Sequence, residues 1–131
     1  MSKPRILLVE DDDIIREIYT LKFELEGFPV MTAEHGAAAL EVMANFHPDI
    51  ILLDLMMPVM DGLEFLRQLP AYLAPADYPA IIVFSNISEP GEIDAAMQLG
   101  VGAYWVKSDY TPERVTAELA DWWKKQLASA E

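Results

Sequence analysis

Glu10, Asp11, Asp12 and Asp13 follow directly on the apolar run Ile6-Leu7-Leu8-Val9, and Asp54 follows directly on a second run, Ile50-Ile51-Leu52-Leu53. Clustered carboxylates repel one another unless a cation or a proton intervenes, and hard oxygen donors of this kind suit Mg²⁺. Two further polar residues stand just past apolar runs: Ser85 after Ala80 to Phe84, and Lys107 after Gly102 to Val106. Acids able to hold a cation, one carboxylate as candidate nucleophile, a hydroxyl and a fixed ammonium are the inventory for phosphoryl transfer to a carboxylate.

The elements that must position these groups can be read from hydrophobic spacing. Residues 5–9 form a short aliphatic run stopped by acids, which predicts a buried strand. Over residues 13–26, Ile14, Ile18, Leu21 and Leu25 recur at helical spacing, so they are expected to line one face of a helix that Gly27 terminates. Residues 28–32 are a weaker strand, with Pro29 near its start pointing to an edge. Residues 37–46 predict a second helix with Leu40 and Met43 inward, closed by His47-Pro48. Residues 50–53 are apolar throughout, as a central parallel strand covered on both faces must be.

Beyond the loop at 58–62, Leu63, Phe65, Leu66 and Leu69 mark a short helix ended by Pro70. A fourth strand at 80–84, a helix at 92–99 closed by Gly100, and a fifth strand at 102–106 follow. Thr111 as N-cap, with Pro112 at the first helical position, starts a last helix reaching to about residue 128. Strands alternating with helices predict βαβ units with right-handed crossovers, hence an α/β, doubly wound, parallel sheet. In such a sheet the polar residues just past the strands converge at one edge, where ligands bind.

The 131 residues suffice for one domain with its own core, and there is no linker or repeat, so residues 1–131 are read as a single domain. A hydrophobic content of 53% with 24% charged residues separates the chain from disordered sequences. The absence of cysteine excludes disulfides and thiolate zinc sites and fits a reducing cytoplasm. No signal peptide is legible at the N-terminus, and no apolar run approaches the roughly 18 residues of a membrane span, so a cytoplasmic location off the membrane is expected. A net charge of −13 argues against direct nucleic-acid contact, because phosphates would be repelled.

In combination, Leu8-Val9-Glu10-Asp11, the stretch from Pro48 through Asp54 to Pro58, Met60-Asp61-Gly62 and Tyr104-Trp105-Val106-Lys107 give the chain a clear family likeness. From about Pro4 to Leu127 it resembles the receiver domain of two-component response regulators, in the manner of the chemotaxis regulator. The resemblance implies a flavodoxin-like sheet of five strands in order 2-1-3-4-5, with five helices. It implies that Asp54 is the phosphoacceptor, receiving a phosphoryl group from a sensor histidine kinase or phosphotransfer protein. Asp11 would ligate Mg²⁺ directly, Glu10 through water, and the Met56 backbone carbonyl would join Asp54 in completing the metal site. Lys107 would pair with Asp54 and then with the phosphoryl oxygens, Ser85 would turn to hydrogen-bond them, and Tyr104 would be the switch. The signal would leave for a downstream effector by the fourth helix, fifth strand and fifth helix. On this reading the protein is no enzyme in its own right but a phosphoacceptor with slow self-dephosphorylation.

Two positions depart from the family pattern. Ser108 stands where a proline in a cis bond usually follows the lysine; a cis bond before serine costs about 3 kcal/mol, so a trans bond or a strained loop is expected. Met56, two places after Asp54, puts an apolar side chain where polar groups often tune dephosphorylation. Other residues have plainer readings. Asp12 and Asp13 are expected to cap the first helix and favour its dipole, Asp61-Gly62 to make a turn, and isolated His35 and His47 to be structural or solvated. Trp122 and Trp123 lie about 100° apart on the last helix. They either straddle the core edge or offer a partner, including a second copy of the chain, an aromatic contact.

Rival readings are weaker. A haloacid-dehalogenase-like phosphotransferase needs a second aspartate at the position of Met56. A receiver reduced to a docking module would not keep Glu10, Asp11, Asp54, Ser85 and Lys107. The chain stops just past the last helix, where an output domain would be joined, so it is read either as a stand-alone receiver or as the N-terminal piece of a longer regulator.

Overall fold

A computed structural model describes residues 3–87 and 89–130. Strands β1 (Ile6–Val9), β2 (Val30–Ala33), β3 (Ile50–Leu53), β4 (Ala80–Ser85) and β5 (Ala103–Val106) form one parallel sheet in the order β2-β1-β3-β4-β5. Helices α1 (Asp13–Leu25), α2 (Gly36–Met43), α3 (Gly62–Gln68), α4 (Pro90–Gln98) and α5 (Pro112–Ala130) connect and follow them. Class, strand order and alternation agree with expectation, and β2, the strand entered through Pro29, lies at an edge.

Each central strand alternates between two apolar layers. Leu7, Val9, Ile51, Leu53, Ile81 and Val83 face the layer that holds Leu40 and Met43 of α2 and Phe65 and Leu66 of α3. Ile6, Leu8, Ile50, Leu52, Ile82 and Phe84 face the layer closed by Tyr19 and Phe23 of α1 and Val115 and Leu119 of α5. Burial on both faces is why β1, β3 and β4 read as unbroken aliphatic runs. Trp122 and Trp123 both pack half-buried against the second layer, as residues straddling the core edge do.

The inward face of α1 is not the one the spacing singled out. Ile14, Ile18, Leu21 and Leu25 are 70%, 48%, 58% and 75% exposed, whereas Tyr19 and Phe23 are buried and Ile15 packs beside them. Two apolar lines run along this helix at the same period. The line that carries aromatic rings removes more area from water, and it wins the core. Tyr19 packs edge-on against Phe84 at 5.3 Å, and Phe23 against Phe28 at 5.7 Å. Aliphatic Ile14, Ile18, Leu21 and Leu25 are left as an outward strip.

Smaller differences have local causes. Two 3₁₀ turns, Leu69–Ala71 and Pro75–Asp77, fill the stretch before β4; Pro70 extends the end of α3 as a tighter turn instead of stopping it. The last helix runs to Ala130, slightly past the expected end. Asp12 caps α1 by accepting from the N–H groups of Ile14 and Ile15, and Thr111 Oγ1 accepts from Arg114 N–H at the start of α5. His35 caps α2 through Nδ1, which accepts from Ala38 N–H at 3.1 Å, so this histidine is structural.

Gly62 shows how tightly the loop after β3 is held. Its N–H donates to the Leu55 carbonyl at 3.0 Å, and a Cβ there would come within 2.5 Å of the Asp54 carbonyl oxygen and 2.8 Å of Leu55 Cα. Backbone cannot yield as a side chain does. Gly62→Ala is expected to cost about 1–3 kcal/mol in urea unfolding, in the range of overpacking. A loss below about 0.5 kcal/mol would show that the loop gives way freely.

Candidate functional site at the carboxyl edge of the sheet

Register brings the polar residues together. Val9 pairs with Ala33 and with Leu53, so β1 and β3 end level and Glu10 and Asp54 leave the sheet side by side. Ser85 pairs with Val106, which sets Lys107 just beyond the end of the β4–β5 ladder. Glu10, Asp54 and Ser85 are buried at 1%, 6% and 1% exposure, and Asp11 is exposed at the mouth. Burial of so many polar groups is tolerable only if they satisfy one another.

Lys107 is the group that satisfies them. Its ammonium donates to Asp54 Oδ2 at 2.9 Å and stands 2.5 Å from Glu10 Oε1. The other Asp54 oxygen, Oδ1, accepts from the Met56 N–H at 3.2 Å. Glu10 Oε2 accepts from Asp12 N–H at 3.1 Å, and Oε1 faces the Lys107 ammonium. Burial pushes the Glu10 carboxyl above its ordinary range, and attraction to Lys107 offsets this only in part. For Lys107, burial acts to lower the ammonium, but its contacts with Glu10 and Asp54 outweigh it and the net shift is upward.

Oxygens of Glu10, Asp11 and Asp54 all lie within 4.8 Å of one another. That donor set, hard and anionic, fits a Mg²⁺ ion. Among the described residues the Met56 carbonyl accepts no hydrogen bond, which leaves it available to such an ion. The Met56 side chain is 67% exposed and lines the cleft beside Asp11. The site opens into a cleft of about 650 Å³ lined by Asp11, Met56, Met57, Ile87 and Glu89 among others.

Ser85 and Tyr104 meet around one loop. Ser85 Oγ accepts from the N–H of Ile87 at 3.3 Å, and the Tyr104 hydroxyl donates to the Ile87 carbonyl. Burial raises the Tyr104 phenol, with Glu92 adding to the effect. The bond after Lys107 is trans, since no cis peptide is present, and residues Lys107–Asp109 form a 3₁₀ turn. The sequence left this geometry open between a trans bond and a strained loop.

Some participants are not legible in the sequence. Arg16 Nη1 donates to the Glu10 carbonyl at 2.7 Å and also pairs with Asp13. Tyr19 lines a small recess with Lys107. Asn86 accepts from the Ser108 N–H at 3.1 Å. The signal for the last was present, because Asn86 adjoins Ser85 and Ser108 adjoins Lys107.

Comparison with known proteins places this geometry. The family model described as response regulator receiver domain matches residues 6–120. Response regulator MprA from Mycobacterium sp. (strain KMS) is 37% identical over 103 residues, covering 79% of this chain and 44% of that protein. Regulatory protein AtoC from Escherichia coli (strain K12) is 31% identical over 103 residues, 79% of this chain and 22% of that protein. The chain thus spans less than half the length of these curated relatives. Among solved structures, the CheY-like receiver domain protein from Methanospirillum hungatei JF-1 superimposes with a TM-score of 0.85 at 24% identity, covering 98% of this chain and 99% of that one, a likeness of fold. The receiver domain of the putative response regulator NarL from Mycobacterium tuberculosis gives 0.77 at 30% identity, over 92% and 96%.

The pair shifts at Glu10 and Lys107 set a pH test. A folded value above the ordinary 4.5 means that the native state holds the Glu10 proton more tightly than the unfolded chain. That contribution is full below 4.5 and is lost as pH rises through the folded value. The contribution of Lys107 is full below 10.5 and is lost only above its own raised value. Lys107→Met strips Glu10 of the attraction that holds it down and leaves two buried carboxylates unpaired. It is expected to cost about 3 kcal/mol at neutral pH, and distinctly less at a mildly acid pH, because the raised Glu10 carboxyl takes up a proton more readily there. Urea unfolding at the two pH values measures this, and an equal cost at both would show that Lys107 does not govern Glu10.

Proposed function

The chain belongs to the response regulator receiver domain family, and from this we propose that it is a phosphorylation switch in which Asp54 accepts a phosphoryl group from a phosphohistidine donor. The observation that carries the reading is the buried Asp54 carboxylate held by Lys107 beside Glu10 and Asp11. A bound Mg²⁺ supplies positive charge to the phosphoryl oxygens, and Glu10, Asp11, Asp54 and the Met56 carbonyl are the groups that would hold it.

Lys107 holds the nearly buried Asp54 carboxylate, the nucleophile, in place by a hydrogen bond to Oδ2. An Asp54 oxygen forms a bond to phosphorus as the donor's N–P bond breaks, and the imidazole leaves with a proton from solvent. Lys107 then follows the charge from the carboxylate to the phosphoryl oxygens. Among the described residues the Ser85 oxygen only accepts, from the Ile87 N–H, and the hydroxyl proton makes no hydrogen bond. Turning Ser85 toward the phosphoryl group gives up that bond and disturbs the Ile87 carbonyl to which Tyr104 is tied. The readout therefore passes to the face of α4, β5 and α5, and the shift is set by the difference in phosphate contacts between the two states. Hydrolysis is the reverse in kind: water attacks phosphorus, the acyl–phosphate bond breaks, and carboxylate and inorganic phosphate return. The exposed Met56 offers water no polar guide, so the phosphorylated state lasts. The protein is on this view a substrate and relay in a histidine-kinase pathway, not an enzyme in its own right.

The donor must bring its phosphohistidine to the mouth of this site. The exposed strip Ile14, Ile18, Leu21 and Leu25 lies on the helix that begins just after Asp11. A donor helix with a complementary apolar face would bury it. No helix among the described residues is long and apolar enough to cross a membrane.

With Mg²⁺ and acetyl phosphate, wild-type protein is expected to gain one labile phosphoryl group on Asp54, seen as an intact-mass increase. Asp54→Asn should gain none, and uptake at the wild-type rate would show the acceptor to lie elsewhere.

Divalent binding should also relieve the repulsion among the acids. A hundredfold excess of Mg²⁺ over its dissociation constant adds about 2.7 kcal/mol by mass action. Thermal melts should rise with Mg²⁺ in the wild type and stay flat in Asp11→Ala; equal rises in both would rule out Asp11 as a ligand.

A further inference from the structure

One cross-link at this edge has no role in the steps given above. The backbone N–H of Ser108 donates to Asn86 Oδ1 at 3.1 Å, joining the loop after β4 to the loop after β5. The β4–β5 ladder ends at the pair Ser85 and Val106. Asn86 and Ser108 are the next cross-link beyond it. Lys107 therefore sits between two anchored neighbours, Val106 in the ladder and Ser108 on the asparagine.

That placement matters because of the lysine's build. An ammonium on a flexible four-carbon stem is aimed only as well as the backbone beneath it is fixed. Here it must reach Glu10 and Asp54 together. A preorganised charge requires no rearrangement as the reaction proceeds, whereas a small misplacement far from the chemistry lowers the rate. The chemistry of the link is specific on both sides. A proline at 108, the residue that the family pattern leads one to expect, has no N–H to give. At 86 the acceptor is the side-chain amide oxygen, which a smaller apolar residue would not supply.

We propose that Asn86 is a positioning residue for phosphoryl transfer at Asp54, acting through the Ser108 backbone to fix Lys107. The inference rests on the reading of Asp54 as phosphoacceptor. It also gives the Ser85 loop and the Lys107 loop a common hinge: when Ser85 turns, Asn86 carries the base of Lys107 with it. Asn86 and Ser108 are then two halves of one device.

The test has two arms on the full chain, with Asn86→Ala, Ser108→Pro and Ser108→Ala. In the first, without phosphodonor, the Ser108 amide proton is followed by NMR. Asn86→Ala is expected to speed its exchange with solvent about fivefold, in line with the loss of one hydrogen bond, and wild-type exchange would overturn the proposal. In the second, phosphorylation by acetyl phosphate is timed across a Mg²⁺ titration. The maximal rate should fall about fivefold in Asn86→Ala and in Ser108→Pro, with half-saturation by Mg²⁺ unchanged. The double variant should fall no further than either single one, and Ser108→Ala, which keeps the N–H, should match wild type.

Wild-type rates in Asn86→Ala, or an equal loss in Ser108→Ala and Ser108→Pro, would overturn the positioning role. Should Ser108→Pro fail to fold, Asn86→Ala and Ser108→Ala still decide the question. Failure of the wild type to form any adduct would overturn the acceptor reading, and the positioning role with it. The exchange arm separates this outcome, because it reports the link between the loops whether or not Asp54 reacts.

Discussion

One ammonium against two buried carboxylates is the constraint on which the site depends. Glu10 and Asp54 are brought together by the level ends of β1 and β3, and both are nearly removed from water. Like charges so placed would cost the fold heavily without a cation between them. Lys107, one of nine basic residues in a chain of net charge −13, supplies that cation from the far side of β4. One cation against two carboxylates leaves the compensation of charge incomplete.

The sheet order makes this arrangement possible. Strand β1 lies between β2 and β3, and the chain crosses over from one side of β1 to the other at the point where the ligand crevice of an open parallel sheet forms. Acids from β1 and β3 occupy that point. The hydroxyl and ammonium from β4 and β5 reach it from the neighbouring side. Beneath them the two apolar layers are closed by aromatic and aliphatic side chains with little freedom, so the charged groups stand on a rigid base. Mobility is left to the loops. The Ile87 carbonyl, which receives Tyr104, and the Ile87 N–H, which meets Ser85, lie in the same short segment. On the proposed reading, a change of partner at Ser85 would reach an aromatic ring on the next strand through this segment.

Much of this architecture is legible in the residues alone. Runs such as Ile50 to Leu53 announce strands buried on both faces, and Asp12, Asp61 and Thr111 announce helix starts, because these signals depend on neighbours in sequence. Glu10, Asp11, Asp54, Ser85 and Lys107 fall at one edge by the rule that strand exits in a parallel sheet point the same way. The face of α1 is misjudged by its spacing for an instructive reason. Its two apolar lines have the same period, and only the shape of the cavity under Phe84 and Phe28 selects the one that carries Tyr19 and Phe23.

What the sequence determined by itself was therefore the set of elements, their parallel order and the identity of the charged groups, all fixed by local pattern and by the topology it implies. The tertiary structure decided the remainder. It chose which stripe of α1 is buried, set the Lys107 ammonium against both Glu10 and Asp54, left the Met56 side chain exposed, kept the bond after Lys107 trans, and set the Ser108 N–H on Asn86. Each of these depends on distances between residues far apart in the chain. Such distances are set by packing, which periodicity does not encode.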